Sequence, residues 1–157
     1  MGQDDTKHNL LFISKYPEII HEFTDAMKDR DIEIETAING IEAAAKIKKK
    51  NYDVVITGLS LEGYNGEQII TYLNKTAPST VCIIYTTTIS SAQLHFFINE
   101  RNVFRVFLRP VDFRGAFWEA LEEAYEYHAV QVKNEEDTGA RRQEQEKHCL
   151  LYTSDAA

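Results

Sequence analysis

Short apolar runs alternate with amphipathic stretches along the chain. Residues 9–13 (NLLFI) form a continuous apolar run, too brief for a buried helix, and predict a buried strand. Pro17 suits the first turn of a helix, and Ile19, Ile20, Phe23, Ala26 and Met27 recur at helical spacing from Glu18 to about Arg30. Residues 32–37 alternate as a strand does, Asn39-Gly40 marks a turn, and 41–50 is an Ala- and Lys-rich helix. Tyr52 to Thr57 (YDVVIT) predicts a third strand, and the glycine-containing stretch 58–66 a loop. A helix over 68–75 stops before Pro78, and 81–85 (VCIIY) reads as a fourth buried strand. Leu94, Phe97 and Ile98 place a helix over 90–99, and 103–108 supplies the fifth strand. Asp112 is the expected N-cap of a last helix whose Phe117, Leu121 and Ala124 stripe, backed by Trp118 and Tyr125, should cover one sheet edge.

Five strands alternating with five helices, with continuously apolar strands, indicate an α/β doubly wound parallel sheet buried on both faces. At 157 residues and 43% hydrophobic content, the chain suits one compact domain with a modest extension. Ligands of such sheets gather at the carboxyl ends of the strands. The residues falling there are Ser14 and Lys15, Gly58, Thr86, and Arg109 with Pro110.

Those positions also carry a resemblance. LLFISKYPEI, AINGIEAAAKI, YDVVITGLSLEGYNG, VCIIYTTT and VFLRPVD, in this order over residues 8–128, resemble the response-regulator receiver domain of the chemotaxis type. The resemblance implies a flavodoxin-like five-stranded parallel sheet with five helices, a (βα)5 fold, and a place in two-component or phosphorelay signal transduction. In that family, two acids after strand one hold magnesium and an Asp ending strand three takes the phosphoryl group. A Thr or Ser after strand four and a Lys before a proline complete the clamp. Here the acids are Ser14 and Lys15, the acceptor position is Gly58, the hydroxyl remains as Thr86, and the lysine is Arg109 before Pro110. The aromatic often found three residues before the lysine falls at Val106.

Magnesium requires hard oxygen ligands and phosphoryl transfer an in-line nucleophile, so the substitutions imply a degenerate receiver without catalysis or cofactor. Asp53 cannot substitute, because it lies about five residues from the strand's end, roughly 16 Å at ~3.3 Å per residue. Thr57 points to the opposite face, and Ser60 is an unactivated hydroxyl. Asp53 itself reads as a turn or edge residue. Lys15, Arg109 and Thr86 admit two readings: an anion pocket, or, as the preferred one, Arg109 bridging to a nearby acid or the backbone. In the family, the face of helix four, strand five and helix five commonly docks partners. That makes His95, Phe96, Arg101 and Arg105 the candidate interface, with other signalling proteins or a second copy as partner.

The net charge of −8 argues against nucleic acid and anionic lipid. The cluster Lys46, Lys48, Lys49 and Lys50 reads as a helix end offsetting the dipole. No run of about 18 apolar residues or signal-peptide core is present, which predicts a cytoplasmic domain with no membrane association. His8, His21, His95, His128 and His148 show no metal-ligand spacing, and Cys82 and Cys149 form no CxxC site, so no metal is expected. An enzyme handling flavin or nucleotide on this sheet would need a phosphate-cradling turn after strand one, and SKYP has no glycine.

Beyond Tyr127 the sequence turns polar, and 129–148 reads as a helical extension or linker. Residues 149–157 (CLLYTSDAA) resemble the in-frame translation of a transposon-type sequencing adapter. The expectation is that the natural chain is cut near His148 and continues into a further signalling domain. A regulatory front to a histidine kinase or a cyclic-dinucleotide enzyme is the alternative.

Overall fold

The computed structural model describes residues 8–140, with side chains through residue 135. Five strands, β1 (His8–Ile13), β2 (Ile32–Ala37), β3 (Val54–Thr57), β4 (Val81–Thr86) and β5 (Val103–Leu108), alternate with five helices. The helices are α1 (Pro17–Ala26), α2 (Gly40–Lys49), α3 (Gly66–Thr76), α4 (Ser91–Glu100) and α5 (Ala116–Ala140). All strands are parallel, in the order β2-β1-β3-β4-β5. This is the flavodoxin-like receiver architecture expected above.

Because alternate side chains leave opposite faces of a strand, each apolar run serves two cores. Leu10, Phe12, Val54, Ile56, Ile83 and Tyr85 meet α1 and α5 through Phe23, Phe117 and Leu121. Leu11, Ile13, Val55, Cys82 and Ile84 face the other way, toward Ala43, Ile70 and Phe97 of α2, α3 and α4. Asn39 caps α2, and Asn65 and Ser90 form capping boxes with Gln68 and Gln93 that fix the starts of α3 and α4.

Several boundaries differ from expectation. α1 ends at Ala26, not near Arg30, because Met27 to Asp31 closes short turns that bring the chain into β2. β3 begins at Val54: Tyr52 sits before it, buried, with its hydroxyl donating to Glu35. Asp112 is not the cap of α5. Its carboxylate accepts the Arg114 N–H at 3.0 Å in a turn that inserts Phe113 into the core, and the helix starts at Ala116. The Phe117, Leu121 and Ala124 stripe covers the face of the sheet over Phe12 and Tyr85, not an edge. β5 also breaks strict alternation. A register shift opposite Cys82 and Ile83 turns both Phe104 and Arg105 toward α5, where they meet Tyr127 and Glu123.

α5 runs unbroken to Ala140, through Thr138-Gly139 and past the boundary expected near Tyr127. Residues 141–157, including the expected boundary at His148 and the adapter-like segment, lie outside the described residues. Among the described residues, no helix is long and apolar enough to cross a membrane.

Candidate functional site

The strand order reverses between β1 and β3, and the loops at the carboxyl ends of β1, β3, β4 and β5 surround a cleft of about 100 Å³. Ser14, Lys15, Gly58, Thr86 and Arg109, read from sequence as the pocket set, all line it, with Tyr16, Leu59, Ser60, Tyr85 and Thr87. Pro110 follows a cis bond from Arg109 and is exposed.

Ser14 is buried, and its hydroxyl accepts the Tyr16 N–H at 3.2 Å. Lys15 reaches across to donate to the Ser60 hydroxyl at 3.2 Å. Gly58 donates its N–H to the Ile13 carbonyl, which fixes the end of β3 against β1. A Cβ at Gly58 would stand 3.7 Å from the Tyr85 carbonyl, an ordinary contact, so the site has room for a side chain it lacks. Gly66 is the tight position: a Cβ there would collide with the Gly58 carbonyl. The Thr86 hydroxyl donates to the Thr88 carbonyl, and the Thr86 carbonyl accepts the Arg109 N–H at 2.8 Å.

The Arg109 guanidinium stacks 4.7 Å from the Tyr16 ring centroid, and its charge acts on the nearby Tyr85 hydroxyl. Burial raises the Tyr85 hydroxyl above its ordinary value, with the Arg109 charge opposing and Glu22 adding to the rise. The acid preferred as a partner for Arg109 is not there: among the described residues neither Lys15 nor Arg109 forms an ion pair. Nor does the guanidinium bond the backbone among the described residues: the contact of Arg109 with Thr86 is made by its main-chain N–H.

Magnesium does not fit this cleft. Its lining presents two cations and no carboxylate, the reverse of what a hard dication needs. Among the described residues no three His, Cys, Asp or Glu side chains gather to hold a metal elsewhere. Burial pushes the Cys82 thiol up to about 12, which leaves it an inert core residue.

Of the candidate interface residues, His95 and Arg105 are exposed, while Phe96 and Arg101 are half-buried. Phe96 packs on the core beside Phe97, and Arg101 lies over its ring while bonding the Thr71 hydroxyl of α3. Arg105 pairs with Glu123 of α5. Large apolar side chains exposed beside them are Leu94 and Ile98 on α4, Leu108 on β5, and Tyr127 on α5. In the lysine cluster, Lys46, Lys48 and Lys49 occupy the last turn of α2, and Lys50 bonds Glu35 and pairs with Glu33.

One polar cluster escaped sequence reasoning. At the opposite end of the sheet, His128 on α5 lies 3.1 Å from the Asp53 carboxylate by Nε2 and 2.8 Å from the Ser79 carbonyl by Nδ1. Both ring nitrogens face acceptors, which favours the doubly protonated imidazolium. The Asp53 hydrogen bond raises the His128 pKa against burial, with Ser79 and Glu135 adding to the rise. Burial works to raise the Asp53 carboxyl, but His128, the Asn9 N–H and His8 together hold it below its ordinary value. Asp53, in the bend before β3, is thus also a half-buried structural anchor, and its partners lie too far away in sequence for any motif to show them.

The family model for the response regulator receiver domain matches residues 11–115. No curated protein matches the chain. Solved structures share the fold. The signal receiver domain of an HD domain-containing protein from Pseudomonas fluorescens Pf-5 aligns with a TM-score of 0.74 at 19% identity, covering 79% of this chain and 98% of that one. A CheY-like receiver from Methanospirillum hungatei JF-1 gives 0.72 at 18% identity, over 80% and 99%. A structure described as adenylate cyclase from Rhodopirellula baltica gives 0.75 at 20% identity, over 83% and 96%. With the parallel sheet, the switch-point cleft and a family match across β1 to the threshold of α5, this chain belongs to the response regulator receiver domain family.

Proposed function

We propose that this receiver domain signals without phosphorylation, as a protein-docking module that binds other signalling proteins or a second copy. The observation that carries the reading is the cleft itself, where Gly58 stands at the acceptor position and no carboxylate lines the walls. Without a nucleophile or metal site, the domain performs no phosphoryl chemistry. Binding then rests on surface. The face of α4, β5 and α5 offers Leu94, Ile98, Leu108 and Tyr127 at 39–50% exposure, rimmed by His95 and the Arg105–Glu123 pair. Apolar anchors with a polar rim are the composition of a docking patch.

A second reading, a regulatory domain coupled to an enzyme on the same chain, is favoured by α5. The helix continues as one rod to Ala140, beyond the residues that pack on the sheet, and would transmit the domain's position to whatever follows.

Amide NMR spectra with and without acetyl phosphate and magnesium test the reading. Resonances of α4, β5 and α5 should stay in place, and Arg105→Glu should weaken self-association or partner capture while the fold is retained. Donor-dependent shifts across that face, together with a gain in intact mass, would refute phosphorylation independence.

A further inference from the structure

We propose that the cleft between the β1, β3, β4 and β5 loops reversibly binds one phosphate-class oxyanion, held by Lys15 and Arg109. The inference rests on the reading of the cleft as unable to form a phosphoryl-protein bond. It adds a ligand to that reading.

The charge in the cleft is positive and uncompensated. Lys15 and Arg109 approach from β1 and β5, and neither is paired with an acid among the described residues, although acids outnumber bases 25 to 17 in the chain. Glu22 is the acid whose charge reaches Tyr85 beside Arg109, and it forms no ion pair there. A surface lysine without a counter-ion is common. A half-buried guanidinium without one, stacked over the Tyr16 ring, is a prepositioned cation, which leaves less ordering for a ligand to impose.

The hydroxyls complete a set of donors from four elements. Ser60, on the β3 loop, already accepts from Lys15, so its own proton is available to an incoming acceptor. The Thr86 hydroxyl makes only a long bond, 3.3 Å, to the Thr88 carbonyl, and can turn inward at little loss. Donors arriving from separate directions match a tetrahedral oxyanion better than a planar carboxylate.

Size narrows the class further. Sites for drug-sized molecules occupy roughly 300–1,000 Å³, whereas this cleft holds about 100 Å³. That suits one phosphate-like ion and is too small to enclose a nucleotide. The room above Gly58, where a Cβ would meet nothing closer than 3.7 Å, contributes to that space. The family's cleft draws in a cation with carboxylates. Here the same walls attract the opposite sign.

The test is an amide NMR titration of the full chain with inorganic phosphate at constant ionic strength, with acetate as a second arm. Saturable shifts are expected at Gly58, Ser60, Thr86 and Arg109, with acetate binding more weakly. Loss of one charge-assisted contact should weaken phosphate roughly tenfold in each of Lys15→Gln and Arg109→Gln. Lys15 is exposed, so its variant keeps the test valid if Arg109→Gln fails to fold. Lys28→Gln, far from the cleft and paired with Asp25, should change nothing. Non-saturating shifts, equal weakening by Lys28→Gln, or tighter binding of acetate would overturn the proposal. Intact mass on a sample treated with acetyl phosphate separates the two claims. A covalent adduct refutes the phosphorylation-independent reading, whereas an unmodified protein that also ignores phosphate refutes only the anion site.

Discussion

The pair His128–Asp53 joins α5 to the entry of β3, and its contribution to stability should depend on pH in a defined direction. Side-chain exposures of 18% and 26% leave the contact partly shielded. A hydrogen bond to a charged group contributes about 1.5–3 kcal/mol, and partial solvent access moves the coupling toward the lower end, near ~1.5 kcal/mol. The His128 pKa is raised in the folded protein, so its stabilisation is fully present below the ordinary histidine value of 6.5 and is lost as pH rises through the folded value. The Asp53 pKa is lowered, so its share is present above the ordinary value of 3.8 and is lost as pH falls through the folded value. The pair therefore stabilises most between about pH 4 and 6.5. A double-mutant cycle with Asp53→Asn and His128→Gln, read by urea unfolding, isolates the coupling. It should be near ~1.5 kcal/mol at about pH 5.5 and clearly smaller at about pH 9. Equal coupling at both values, or larger coupling at the higher one, would refute the imidazolium–carboxylate description.

Phe117 is buried among the rings of Phe23, Tyr85, Phe107 and Phe113, so Phe117→Ala should cost about 3–5 kcal/mol by chemical denaturation. Gly58 in the cleft and Gly66 at the start of α3 should behave oppositely: Gly58→Ala should leave the melting temperature within a few degrees, while Gly66→Ala lowers it because its Cβ strikes the Gly58 carbonyl. Charge reversal at Arg101 should destabilise through loss of the Thr71 bond and the Phe96 contact, whereas Arg105→Glu should have a much smaller effect on the unfolding midpoint.

The sheet was legible because β1, β3 and β4 are short, continuous apolar runs, β2 alternates with the period of a strand, and the helices repeat apolar positions at helical spacing. Those local signals also placed Ser14, Lys15, Gly58, Thr86 and Arg109 on one cleft, since the carboxyl ends of parallel strands converge. Boundaries were less legible wherever tertiary packing overrode local preference. Asp112 has the chemistry of a cap, but burying Phe113 shifts the helix start to Ala116. The β5 register shift, which brings Arg105 to Glu123, leaves no mark in residue composition. The His128 cluster was invisible for a different reason: its partners Ser79, Asp53 and Asn9 come from separate elements, and only the folded sheet brings them together.

Whether the cleft takes a phosphoryl group is read most directly from intact mass after incubating the full chain with acetyl phosphate and magnesium. With Gly58 at the acceptor position and Lys15 and Arg109 where a metal would need carboxylates, the mass should not change. A gain of about 80 Da, the mass of one phosphoryl group, mapped to Ser14, Ser60, Thr86 or Thr87, would contradict it.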